Sequence, residues 1–131
     1  MTSYELDELF GSVGWSCPTA EQLESAIRNS TKAFIVRHNG KPAAKISLLG
    51  DVGMHWFVKD FIVRPEFQGQ MIGTLLFRFC ENYIKSTMKP NRKVCIDLRA
   101  SKGKEPFYEK LGFEAMTAEA SGCGMEKMIE K

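Results

Sequence analysis

No apolar run in this chain approaches the roughly 18 residues that a membrane-spanning helix requires. The first residues, Met1-Thr-Ser-Tyr4-Glu-Leu-Asp7, lack the basic start and apolar stretch of a secretory leader, so a cytoplasmic location is expected. Neither sign of charge dominates. The 18 basic and 16 acidic residues give a formal net charge of +2, too balanced for bulk attraction to a nucleic acid. The four cysteines, at 17, 80, 95 and 123, form no C-x-x-C pair, and neither His38 nor His55 stands at ligand spacing from one of them. This spacing predicts no metal site and no redox pair, and leaves buried, reduced thiols at Cys80 and Cys95 as the expectation. Repeats, low-complexity tracts and linker-like stretches are absent as well.

What is present fits a single domain over residues 1–131, long enough to bury a core without staples, at 44% hydrophobic and 26% charged residues. Residues 4–11 read as a short acidic helix with Leu6, Leu9 and Phe10 on one side. Thr19 and Gln22 form a capping box for a second helix running to about Asn29. Residues 33–37 and 43–49 read as strands joined by Asn39-Gly40, whose tolerance of positive φ marks a type I′ hairpin. A third strand spans 55–63 and should lose its pairing at Pro65, which has no amide to donate. The helix that follows, to about Ser86, carries Ile72, Leu75, Leu76, Phe79, Cys80 and Tyr83 on its apolar stripe. Residues 94–98 read as a strand. Ser101 is the expected cap of a short helix through Tyr108 and Leu111, closed by Gly112. Segments 113–116 and 125–129 read as final strands. Hairpins first and α/β crossovers later predict an α/β fold: a mixed, mostly antiparallel sheet with helices on its faces.

The segment Gln68-Gly69-Gln70-Met71-Ile72-Gly73 lies between a strand and a helix. The first amides of a helix have no internal partner, and the helix dipole adds positive potential there, so the place suits an anion. Gly69 and Gly73 remove side chains where a phosphate must approach the backbone. Alone, a glycine before a helix is equally well just a turn.

Two longer stretches carry a resemblance. Val63-Arg-Pro65-Glu-Phe-Gln68-Gly-Gln-Met-Ile-Gly73 resembles the acetyl-CoA signature of the GNAT superfamily of N-acetyltransferases, a strand ending Val-x-Pro followed by Q/R-x-x-G-x-G/A. Some forty residues on, Glu105-Pro-Phe-Tyr108-Glu-Lys-Leu-Gly112-Phe113 resembles its tyrosine helix ending in Gly-Phe, and Gly122-Cys-Gly-Met125 resembles the last strand of small bacterial members. The resemblance covers roughly residues 14–130. The chain departs from the family pattern with Met71 at the first glycine of G-x-G/A, Ser101 where many members have asparagine, and a helix in place of the usual first strand. A backbone with negative φ at Met71 is expected to present its amide all the same.

The resemblance implies acetyl-CoA as cosubstrate, held by Ile62, Val63, Gln68, Gly69, Gln70, Met71, Ile72, Gly73, Thr74 and Ser101. It also implies a splay of the third strand from its neighbour near Ile62 and Val63, where backbone amides would meet the acetyl carbonyl and the pantetheine arm. Charge adds Lys104, with Lys102, for the coenzyme phosphates. Tyr108 takes the family's role of proton donor to the leaving thiolate. Asp60 takes that of base or ammonium anchor, with His55 as another possible base. An alkylammonium with pKa near ~10.4 costs about 4–5 kcal/mol to deprotonate at pH 7, so some such group is required. Trp15, Trp56 and Phe57, with Tyr4, offer an aromatic wall for the acceptor. The implied acceptor is a primary amine of a small molecule. Alternatives are a protein lysine or N-terminus, or a noncatalytic acyl-CoA-binding module. No nucleic acid or membrane partner is expected, and the family allows a homodimer.

Overall fold

Two threonines start the first two helices. Thr2 caps α1 (Ser3–Ser12): its Oγ1 accepts from the Glu5 amide at 3.1 Å, and Glu5 returns a carboxylate oxygen to the Thr2 amide at 3.0 Å. Thr19 and Gln22 close the same reciprocal box on α2 (Ala20–Asn29), as their spacing predicts. Each box satisfies two amides the helix cannot, worth about 1 kcal/mol. The buried sides of α1 and α2, Leu6, Leu9, Phe10 and Leu23, close over Ile62.

The computed structural model describes residues 1–131 and divides them into two units, Met1–Leu98 and Arg99–Lys131. In the first, a four-stranded sheet runs in the order β1 (Lys32–His38), β2 (Lys41–Gly50), β3 (His55–Val63), β4 (Cys95–Leu98). The first three strands form an antiparallel meander, and β4 joins β3 in parallel after a helical crossover. Asn39 and Gly40 both hold positive φ, 50° and 78°, as the β1–β2 turn requires. Residues 42–48 of β2 are buried without alternation, since α1 and α3 both pack against that strand. Gly50 is needed for close approach: a Cβ there would fall 2.3 Å from the Trp56 ring.

Between Lys45 and Ser47 the β2–β3 register shifts. Lys45 pairs with Ile62 and Ser47 with Lys59, so β3 carries one extra residue. This is a β-bulge, and Asp60 sits in it at φ 48°. At the far end of β3, Arg64 donates its amide to Ala43 and its Nε to the Pro42 carbonyl at 2.7 Å, and lies 3.7 Å from Glu8 of α1.

After a 3₁₀ turn at Pro65–Phe67, α3 (Ile72–Thr87) packs on the sheet through Leu76, Phe77, Cys80 and Ile84. The face is rotated from the one periodicity predicts. Leu75 and Phe79 are half exposed, and Phe77 and Ile84 take the interior instead. With apolar residues at 75, 76, 77, 79, 80, 83 and 84, two stripes are available on one helix, and the sheet decides between them. Phe34 stacks on Phe79 at 5.8 Å, and Trp56 meets Tyr83 edge-on at 5.8 Å.

The second unit holds one short helix, α4 (Glu105–Lys110). Lys104, not Ser101, is its N-cap residue, and no side chain caps it. Ser101 instead opens the preceding turn by accepting the Lys104 amide at 2.9 Å. At the other end the expected closure is complete. Gly112 has φ 95°, its amide donates to Glu109, and that of Phe113 donates to Tyr108, the two bonds of a Schellman motif. The strands expected at 113–116 and 125–129 do not form, and Met125, Met128 and Ile129 lie on the surface. A strand needs a ladder partner as well as propensity, and neither segment has one.

No helix is long and apolar enough to cross a membrane.

Candidate functional site

Unlike α1 and α2, the helix α3 begins with no side-chain cap and no acidic residue in its first turn. Its first internal bond is from the Leu75 amide to Met71, at 3.0 Å, so the amides of Ile72, Gly73 and Thr74 precede any intrahelical acceptor. Positive potential and unclaimed donors therefore gather at one place, directly after β3. The loop into it is built by side chains reaching back. Gln68 Nε2 donates to the Val63 carbonyl at 2.9 Å, and Gln70 Nε2 to the Glu66 carbonyl at 3.3 Å. Gly69 turns at φ 77° with open space where a side chain would be.

Met71 corrects an expectation. It adopts φ 66° and ψ 9°, the left-handed region, rather than negative φ. An L-residue there costs roughly 1–2 kcal/mol, which gives a physical reason for glycine at this position in the sequence pattern. Its side chain is 71% exposed, so the strain is not offset by core burial.

The β3–β4 ladder covers only His55 to Val58 on β3, while β3 runs on to Val63. β4 ends at Leu98, opposite Val58, so no residue of it stands opposite Ile62 or Val63. The two residues are not equivalent, however. Arg64 donates its amide toward β2, so by strand alternation Val63 turns its amide away from β2 and Ile62 toward it. Ile62 is also buried among the α1 and α2 side chains.

Asp60 does not stand alone. Its Oδ2 lies 3.2 Å from Lys59 Nζ and 3.5 Å from Lys45 Nζ, both largely shielded from solvent. Two ammonium groups on one carboxylate leave the cluster with a net positive charge, which argues against Asp60 as an anchor for a cationic amine. Lys45, with a side chain 3% exposed, belongs to no motif in the sequence. The signal was there, a single lysine inside the apolar run of β2. Burial pulls the Lys45 ammonium below the usual lysine range, an effect partly offset by Asp60 and reinforced by Lys59.

The expected aromatic wall is divided. Trp56 is 1% exposed and belongs to the core against Gly50 and Tyr83. Phe57 follows it in the strand and therefore faces the other side, partly exposed. Trp15 packs edge-on against Phe10 at 5.5 Å. His55 opens β3 eight residues before Val63, roughly 25 Å away at the rise of a strand, so it is no base for chemistry at the loop.

In the second unit, Tyr108 lies on α4 between Phe107 and Phe113, with ring centroids 5.2 and 5.8 Å away. Burial raises its hydroxyl above the usual tyrosine value. Ser101 and Lys104 share the turn before that helix, with Gly103 at φ 86°. Cys80 is fully buried, its thiol pushed up to about 12. Cys95 is exposed, against expectation, because β4 is an edge strand.

Residues 12–128 match the profile of the Acetyltransferase (GNAT) domain. An uncharacterized N-acetyltransferase of Pyropia yezoensis is 28% identical over 116 residues, covering 84% of this chain; the chain spans 63% of that relative's length. Among solved structures, a protein of unknown function from meticillin-resistant Staphylococcus aureus superposes with a TM-score of 0.84 at 23% identity, covering 97% of this chain and 94% of that one, a likeness of fold. A GNAT-family acetyltransferase of Streptococcus pneumoniae superposes at 0.81 with 25% identity, covering 100% and 93%.

Proposed function

The chain belongs to the acetyltransferase (GNAT) domain family, and from that premise we propose that it transfers an acetyl group from acetyl-coenzyme A to a primary amine of a small molecule. The observation that carries the reading is the uncapped start of α3, the longest helix and one without either a capping side chain or a first-turn carboxylate. Such a terminus fits a pyrophosphate. In the first unit, the loop 68–73 with the amides of Ile72, Gly73 and Thr74, and the outward amide of Val63, would hold the coenzyme. The second unit, taken by itself, would offer it the Ser101 hydroxyl and the Lys104 charge. The bound cosubstrate supplies an activated acyl thioester.

The chain's own groups have two protons to manage. One must leave the acceptor ammonium. Lys45 and Lys59 already hold the Asp60 carboxylate in ion pairs, so the acceptor is captured in its rare neutral form, its proton going to solvent. The other proton is held by the Tyr108 hydroxyl for the leaving sulfur. A free tyrosine is already a weaker acid than a thiol by about 2 kcal/mol. Burial widens that gap, so Tyr108 serves by hydrogen-bonding the thiolate while solvent supplies the proton. No feature favours a protein acceptor over a small amine. A noncatalytic binder remains the contrasting outcome, supported by the strained Met71.

The test is release of free coenzyme A from acetyl-CoA across a panel of amines, beside a thermal-shift assay with acetyl-CoA alone. Turnover with an amine supports the reading. A thermal shift without turnover leaves a binder, and no shift at all removes the coenzyme from the site.

A further inference from the structure

The other end of β3 holds a cluster that the acetyl-transfer reading does not use. In the parallel β3–β4 pair His55 stands opposite Cys95, and Asp97 follows two residues later on the same face of β4. A nitrogen of His55, the sulfur of Cys95 and a carboxylate oxygen of Asp97 all lie within 4.8 Å of one another. Cys95 already directs its S–H at Asp97 Oδ1, 3.5 Å away. We propose that these three side chains bind a divalent zinc-type ion, with water completing a tetrahedron.

The geometry is close to what that ion needs. With Zn–S near 2.3 Å and Zn–N or Zn–O near 2.0–2.1 Å, the ligand atoms of a tetrahedral site stand about 3.3–3.6 Å apart. The sulfur–oxygen edge has that length now. The remaining edges close by rotamer adjustment of side chains on the surface, which also gives the ion a way in. A thiolate, an imidazole and a carboxylate together select zinc over magnesium or calcium, which take oxygen alone. On binding, the Cys95 thiol proton passes to solvent.

The backbone beneath the cluster is held in place. Asp51 Oδ1 accepts the amides of Gly53, Met54 and His55 at 2.8, 2.7 and 3.0 Å, which fixes the turn that delivers the histidine. A shallow recess of about 260 Å³ beside it is bordered by Asp51, His55, Phe57 and Asp97. The ion would bridge the first residues of both strands where β4, four residues long and at the sheet edge, has only β3 as a ladder partner. Its role is therefore a clip on the β3–β4 pairing, remote from the loop at Val63.

Cobalt(II) titration of the full chain, stripped with chelator, tests this. One equivalent should produce the visible bands of a tetrahedral site together with a thiolate charge-transfer band, and zinc should displace it and raise Tm. Cys95→Ser should abolish the charge-transfer band, and both Cys95→Ser and His55→Ala should weaken zinc binding by ~100-fold or more, with Asp97→Asn losing ~10-fold. Cys17→Ser and Cys123→Ser should change nothing. Circular dichroism checks that each variant folds, and His55→Gln replaces His55→Ala if that one does not. The proposal is overturned if the intact chain shows no thiolate band at millimolar cobalt, or if the band survives Cys95→Ser. Neither readout depends on acetyl transfer.

Discussion

At its Val63 end β3 passes into a loop and a helix whose first amides no side chain claims, whereas at its His55 end three successive amides converge on one carboxylate oxygen of Asp51. One end leaves its donors without a side-chain cap. The other spends them on holding side chains in register. Backbone strain does not follow that division: Asp60 and Met71 hold positive φ toward the Val63 end, and Val52, in the turn that leads to His55, holds φ 59° at the other. The difference shows that one strand can end in opposite ways, with unclaimed backbone at one end and aligned side chains at the other.

The contrast can be broken most sharply by turnover. Tyr108→Phe should lower kcat by ~100-fold while acetyl-CoA affinity stays within about 2-fold, and His55→Ala should leave kcat nearly unchanged. A loss of kcat on His55→Ala in steady-state kinetics would mean that the His55 end of β3 takes part in acetyl transfer. Next in size is Gly50→Ala, which drives a methyl group into the Trp56 ring. It should cost about 2–3 kcal/mol in urea denaturation, and a neutral result would mean that the indole has room to move. Met71→Gly removes left-handed strain worth roughly 1–2 kcal/mol but adds unfolded-state entropy of about 0.5–1 kcal/mol, for a net gain of ~0.5–1 kcal/mol. The side chain is exposed, so tighter acetyl-CoA binding in calorimetry would show that it crowds the phosphates, and unchanged affinity that it does not. The smallest effect belongs to Asp51, whose carboxyl is held down to about 2 by its three backbone donors, led by His55. A folded-state value below the unfolded one adds stability that is present above about pH 4 and fades as pH falls toward 2. Asp51→Asn should therefore lower Tm at neutral pH, and the gap from the parent should narrow across that window. A gap independent of pH would assign the loss to packing.

Local chemistry was legible in the sequence. Thr19 with Gln22, Asn39-Gly40, the limits of β3 and the Gly112 closure each depend on a few neighbouring residues, and each stands where the sequence puts it. The loop at 68–73 and the tyrosine helix were legible for the same reason, as short stretches with a characteristic residue order. What depends on a partner was not. The buried face of α3 was set by the sheet, and Trp56 and Phe57, adjacent in the chain, were sent to opposite sides by the pleat. Segment 125–129 has strand propensity and no ladder to join. Lys45 became a buried ammonium because β2 is covered on both faces.

The cysteines show the boundary most plainly. Counting along the chain offers no metal pair, since His55 and Cys95 are separated by forty residues. The β3–β4 register places them side by side. By itself the sequence determined the Thr19–Gln22 cap, the Asn39-Gly40 turn, the loop at 68–73 and the family pattern, because those are fixed by neighbours in the chain. Only the tertiary structure decided which side chains share a face, because strand register brings together residues whose separation along the chain gives no sign that they will meet.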